Sequence, residues 1–279
     1  MEKIMFMGKY LKLVIFSLLF LSGRPIPPVP VSHRAPAGSP APNEGFAPAP
    51  AGYAPANDGF AVIELFTSEG CSSCPPADEL VASLPTTYPS GVYILSFHVD
   101  YWDRLGWKDP FSRSDFTQRQ RQYGEVLMLN SVYTPQVVVN GRTQMVGSDK
   151  DRLKETIDDQ LAHTTNPAID AAAHTTDNKT VTIDYALTGA GTGKSKNPAT
   201  LQAALIQLQA STAVKNGENA GRQLHHANIV RDLKSSTKSK GSLTLSLPGG
   251  LTAADCKVIV FLQNKETLQV EGARLLDIH

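Results

Sequence analysis

The residues best suited to chemistry in this chain are Cys71 and Cys74, set three positions apart in Cys71-Ser72-Ser73-Cys74-Pro75-Pro76. That spacing lets the sulfurs meet within one turn, so a mixed disulfide formed on Cys71 can be resolved by attack from Cys74. The pair follows an apolar run, Ala61-Val62-Ile63-Glu64-Leu65-Phe66, and precedes a helical pattern. A thiol at a helix start faces unpaired N–H groups and the positive dipole end, both of which favour thiolate over thiol. Cys71 is therefore the expected nucleophile and Cys74 the expected resolving thiol. Pro75 pushes Cys74 toward extended backbone, while Pro75 and Pro76 suit the first helical positions. Three rival readings stand beside redox exchange. A structural disulfide across so short a loop removes little chain entropy and is a weak staple. Structural zinc needs about four Cys or His ligands, and the sequence has no second CxxC or His-x3-His. Soft Cu(I) suits thiolates, with Cys71, Cys74 and His98 as the candidate ligands.

A second tier of residues could serve the pair. His98 and Asp100 end an apolar run at alternating positions, so both can point to one side at the carboxyl edge of a sheet, as a proton relay or as ligands. The bland reading makes His98 an interior imidazole and Asp100 a turn cap. Trp102, Trp107 and Phe111 suit either an apolar lip or the core of a loop. Pro135, opening the β-branched run Gln136-Val137-Val138-Val139, has no N–H for a sheet ladder, which indicates an edge, a bulge or a cis peptide. His225-His226 is a weak metal signal, because adjacent strand residues point to opposite faces. Cys256 opens an apolar strand and reads as a small buried hydrophobe.

Placing these residues requires a regular frame. Phe60–Thr67 reads as a strand, Pro75–Leu84 as a helix, Val92–Val99 as a strand and Ser114–Leu129 as a helix. Gln136–Asn140 and Thr143–Gly147 form a hairpin about Asn140-Gly141, and Asp149–His163 carries Leu153, Ile157 and Leu161 on one helical face. The order βαβαββα predicts an α/β core with helices against a central sheet over 58–165. Beyond Asn166-Pro167 the alternating runs Val181–Leu187, Leu201–Gln209, Leu243–Leu247, Lys257–Gln263 and Leu268–Leu276 predict an all-β, sandwich-like domain over 166–279.

The words around these elements carry a resemblance. Glu64-Leu65-Phe66-Thr67-Ser68-Glu69-Gly70-Cys71-Ser72-Ser73-Cys74-Pro75-Pro76, Ser96-Phe97-His98-Val99-Asp100-Tyr101-Trp102-Asp103, Gly106-Trp107-Lys108-Asp109-Pro110-Phe111 and Gln118-Arg119-Gln120 resemble the bacterial secreted thioredoxin-like family called domain of unknown function 1223. Asn216-Gly217-Glu218-Asn219, Leu224-His225-His226 and Val230-Arg231 resemble its β-rich tail. The resemblance implies a thioredoxin-like fold in which Cys71 attacks, Cys74 resolves and Pro135 is the cis-proline facing them. It further implies that Thr134 offers its backbone to an extended substrate segment. Ser72-Ser73 and Pro75 depart from an ordinary thioredoxin motif.

Composition sets the surroundings. Lys+Arg 26 against Asp+Glu 26 leaves no basic footprint for nucleic acid. Residues 1–23 combine Lys3, Lys9 and Lys12 with the apolar Leu13–Leu21 and a Ser22-Gly23 exit, the pattern of a signal peptide; an uncleaved anchor is the rival. Residues 24–57 hold ten of the nineteen prolines and read as a semi-extended linker. The expectation is an exported, periplasmic or secreted protein without stable membrane insertion after signal removal. It would act as a thiol–disulfide oxidoreductase on protein or small-molecule thiols and disulfides, with no cofactor; a copper carrier or a non-catalytic binding adaptor is the alternative.

Overall fold

Why the chain folds as it does is clearest at its first strand, which is buried on both faces and therefore carries apolar residues at nearly every position. In the computed structural model, residues 59–163, 168–188 and 199–279 are described; the expected signal peptide and linker lie outside them. The elements run β1 (Ala61–Thr67), α1 (Pro75–Thr87), β2 (Val92–His98), α2 (Ser114–Val126), β3 (Gln136–Val139), β4 (Thr143–Val146) and α3 (Lys150–Ala162). They continue as β5 (Ala168–His174), β6 (Thr180–Thr188), β7 (Ala199–Ala213), β8 (Gln223–Ser236), β9 (Lys240–Ser246), β10 (Cys256–Asn264) and β11 (Val270–Leu276). The seven elements expected before residue 165 are all present within a few residues. The expected list of later strands lacked β5 and β8.

Period-two alternation assigns each face of β1. Ala61, Ile63 and Leu65 pack with Ala77, Val81 and Leu84 of α1 and with Leu153 and Ile157 of α3. Val62 and Phe66 point the other way, into a core with Phe116 and Tyr123 of α2. Glu64 lies on that second face, and its burial is compensated by Arg119 of α2, whose Nε and Nη2 donate to its carboxylate at 2.5 and 2.8 Å. Tyr123 donates to the same carboxylate at 2.5 Å. Gln263 of β10 accepts from Arg119 and donates to the Tyr123 hydroxyl.

The large sheet has the order β11-β10-β7-β8-β2-β1-β3-β4. Here β1 is parallel to β2 and antiparallel to β3, and β8 joins β2 in parallel at Ser96↔Ile229. Ser96 Oγ donates to the Ala227 carbonyl at 2.8 Å across that junction. The expected division between 58–165 and 166–279 therefore falls between α3 and β5 while one hydrogen-bonded sheet runs across it. The physical reason is the free edge of β2, whose unpaired backbone groups β8 occupies. A second sheet, β5-β6-β9, lies against the face of β7 and β10 that carries Leu201, Ala203, Leu205, Val258, Val260 and Leu262. Their opposite face, with Ala204, Ile206, Ile259 and Phe261, joins the α2 core.

Candidate functional site

Cys71 and Cys74 form a disulfide with Cα atoms 5.4 Å apart, in the turn that leads from β1 into α1. The Cys71 amide donates to the Ser68 carbonyl at 3.1 Å and the Cys74 amide to the Cys71 carbonyl at 3.2 Å. Pro75 and Pro76 occupy the first helical positions as expected. Cys74 itself, expected to be extended, is helical at φ −78° and ψ −37°. Its carbonyl already accepts the Ala77 and Asp78 amides, and this first-turn bonding outweighs the bias that a following proline imposes. Both cysteines are fully buried, whereas Ser72 and Ser73 between them are exposed. Ser73 Oγ stands 3.5 Å from Cys71 Sγ.

The Thr134–Pro135 peptide is cis. Gly147 records where Pro135 sits: a Cβ there would meet the Pro135 Cβ at 3.2 Å and the Ala77 Cβ at 3.0 Å, which puts Pro135 beside the first turn of α1. Thr134 Oγ1 accepts from Trp102 Nε1 at 2.8 Å.

Around the disulfide turn lies a buried polar cluster drawn from five segments: Glu69, Asp78, His98, Asp109 and His226. Asp109 is its organiser. It accepts from the Glu69 amide at 2.8 Å, meets His98 Nδ1 at 2.7 Å and accepts from the Phe111 amide at 2.8 Å. Burial pushes its carboxyl up, but the neighbouring His98 imidazole and these hydrogen bonds prevail and hold it below the usual range. Glu69 receives Trp107 Nε1 at 2.7 Å and His226 Nε2 at 3.2 Å. His226 Nδ1 stands 3.9 Å from Asp78, an ion-pair separation beyond hydrogen-bond reach, and Asp78 accepts from Thr67 Oγ1 at 3.1 Å. Burial works against the His226 cation, yet Asp78 and Glu69 push its pKa up to about 9. The imidazoles of His98 and His226 meet edge to face at 4.8 Å, with Phe111 against both. The cluster therefore favours the protonated form of His226, a buried imidazole next to the cysteine turn.

Of the expected site residues, Cys71 and Cys74 are joined and Pro135 lies near the first turn of their helix, with Gly147 between them. His98 and Asp100 do not act on one another; His98 pairs with Asp109, and Asp100 accepts from Thr117 Oγ1 at 2.6 Å. Trp102, Trp107 and Phe111 are half-buried, their polar edges and faces spent on Thr134, Glu69 and the imidazoles. His225 and His226 point oppositely, the first exposed and the second buried. Cys256 is buried among the strands, and burial pushes its thiol up to about 11. Sequence reasoning missed the roles of Glu69, Asp78, Asp109 and Asn219. Asn219, fully buried in the β7–β8 connection, donates from Nδ2 to the carbonyls of Glu69 and Cys71, each at 2.9 Å. The signal that could have found it is the Asn216-Gly217-Glu218-Asn219 word, polar throughout and placed in a turn.

Among the described residues, no group of three or more His, Cys, Asp or Glu side chains is arranged to hold a metal ion, and no helix is long and apolar enough to cross a membrane. The architecture defines a mixed α/β protein with a disulfide at a helix start, walled by a β-hairpin from the far end of the chain. The chain belongs to the family described as Protein of unknown function (DUF1223), whose model matches residues 62–263. It is similar to a crystal structure of an Agrobacterium tumefaciens protein, with 30% identity, a TM-score of 0.58, and coverage of 77% of this chain and 93% of that one. It also shares a fold with HBP35 of Porphyromonas gingivalis, at 16% identity and a TM-score of 0.54, over 79% of this chain and 76% of the other. No curated protein matches it.

Proposed function

We propose that the protein is an exported thiol–disulfide oxidoreductase, thioredoxin-like in its βα site, that exchanges the Cys71–Cys74 disulfide with protein or small-molecule thiols. The observation that carries this reading is the disulfide itself, in the turn that leads into α1 with Cys74 as the helix N-cap and Pro135 near the first turn. A substrate thiolate attacks Cys71 Sγ, a bond forms between the two sulfurs, and Cys74 leaves as a thiolate that takes up a proton. A second substrate thiolate then attacks the substrate's own sulfur and expels Cys71. The substrate dithiol has become a disulfide, and the protein carries two reduced cysteines. In reverse the same steps reduce a substrate disulfide. Export is supported by the pattern of residues 1–23, and an oxidising compartment keeps such a pair bonded.

The test is trapping. Cys74→Ser retains the attacking thiol without its resolver and should accumulate mixed disulfides with cysteine-containing partners, while Cys71→Ser should trap few. Equal trapping by both variants would remove the assigned division of labour, and failure of both to trap would remove the exchange reading.

A further inference from the structure

The β7–β8 connection, residues 214–222, reaches across the sheet to the cysteine turn. Its base is closed by the Val214 amide on the Arg222 carbonyl and the Gly221 amide on the Val214 carbonyl. Gly217, at φ 76°, lets the chain turn tightly against Trp107, whose Cβ would lie 3.1 Å from a side chain at that position. Asn219 is then pinned on the Glu69 and Cys71 carbonyls, with its own oxygen accepting from Arg222 Nη1 at 2.9 Å. These constraints deliver Glu218, the preceding residue, to the exposed side of the motif, where its carboxylate accepts from the Ser72 amide at 3.1 Å.

We propose that Glu218 is a positioning residue of the cysteine site, occupying the Ser72 amide and holding a negative charge beside Cys71 so that the reduced Cys71 thiol gives up its proton less readily. This rests on the reading of Cys71 as the exchanging sulfur. A thiolate at a helix start is stabilised by the amides around it, and Glu218 consumes one of them while adding like charge. The interaction with Ser72 holds the Glu218 carboxyl below its usual range, so the charge is present at neutral pH. The remaining groups facing the turn come from every element packed on it. Ser73 offers its hydroxyl to Cys71 Sγ. Glu69, Asp78, Asp109 with His98, and the His226 cation lie on the buried side. Arg222 reaches Asn219. Glu218→Gln alters one of these charges and keeps an acceptor oxygen for Ser72.

The experiment uses the full chain, reduced, with alkylation of Cys71 by iodoacetamide followed by peptide mass spectrometry across about pH 5 to about pH 10. The Glu218→Gln profile should move down by about half a unit, so that Cys71 reacts about threefold faster below its midpoint. High salt should carry the wild-type profile toward that of the variant, because it screens an exposed charge. In a glutathione buffer held above the Cys71 midpoint, the reduced form of the variant should be favoured by about threefold, since thiolate stabilisation favours reduction. An unmoved or upward-shifted Glu218→Gln profile at low salt overturns the proposal. Alkylation needs no turnover, so loss of this effect with intact trapping removes the role of Glu218 alone, whereas absent trapping with the shift intact removes the exchange reading alone.

Discussion

Replacing His226 with Gln should abolish a specific part of the protein's pH-dependent stability. The His226 side chain is 2% exposed, with Glu69 at 3.2 Å and Asp78 at 3.9 Å, and its pKa is raised to about 9 in the folded chain. In the unfolded chain it titrates near the ordinary value of about 6.5. Because the folded value is the higher one, the folded state binds the proton more tightly. The resulting stability is fully present below about pH 6.5, declines between about 6.5 and 9, and is gone above that interval. The gap of about 2.5 units corresponds to about 3 kcal/mol, an order-of-magnitude figure for a buried ionic cluster. Urea unfolding of the oxidised protein at about pH 6 and about pH 9.5 measures it. Wild type should lose about 3 kcal/mol more than His226→Gln over that interval, a midpoint difference of about 1–3 M urea at typical denaturant slopes. The variant should be the less stable protein at pH 6, and the two should converge as the pH rises. Equal pH dependence in both proteins would refute the placement of a proton on His226.

Two further perturbations probe what supports the site. Arg119→Met leaves the buried Glu64 carboxylate without its cation and should cost about 3–5 kcal/mol, seen by calorimetry as a fall of about 6–20 °C in Tm. Asn219→Ala strips donors from the Glu69 and Cys71 carbonyls, at about 1–3 kcal/mol, and should accelerate hydrogen exchange at the Ser72 amide by releasing the neighbouring Glu218. Unchanged exchange at Ser72 would show that Glu218 is held without Asn219.

The elements of 58–165 are legible in the sequence because their apolar periods are local, and the CxxC announces itself by spacing alone. What eluded sequence reading depends on distant partners. The strand β8 reads Gln223-Leu224-His225-His226-Ala227-Asn228-Ile229-Val230-Arg231-Asp232, too polar to look like a central strand. His226 is buried against Glu69 and Asp78, and the half-buried Arg231 donates to Gln207 of the neighbouring strand. The strand β5 is Ala171-Ala172-Ala173 at its centre, small residues that carry little strand preference until a second sheet packs on them. Alternation places Asp100 on the same side as His98 and names no partner for the imidazole. Asp109 takes that place because the loop after β2 folds back, with Asp103 Oδ1 accepting from the Asp109 amide at 3.3 Å. Expecting two separate domains followed from the change of pattern at residue 166, which reports a change of element type and says nothing of which strand edges remain to be filled.

The reach of Asn219 also bears on the order in which this molecule comes together. Its bond to the Cys71 carbonyl spans 148 residues, and the junction of Ser96 with Ala227 spans 131. Closing loops of that length carries an entropic cost that local pairing does not, so β1, α1 and β2 have short-range partners well before the hairpin has any reason to arrive. The surroundings of the cysteines are thus finished only when the last third of the chain has been threaded onto the sheet. A truncated or half-folded copy would carry the same Cys71 and Cys74 in an unfinished setting, which makes their accessibility a gauge of completed assembly.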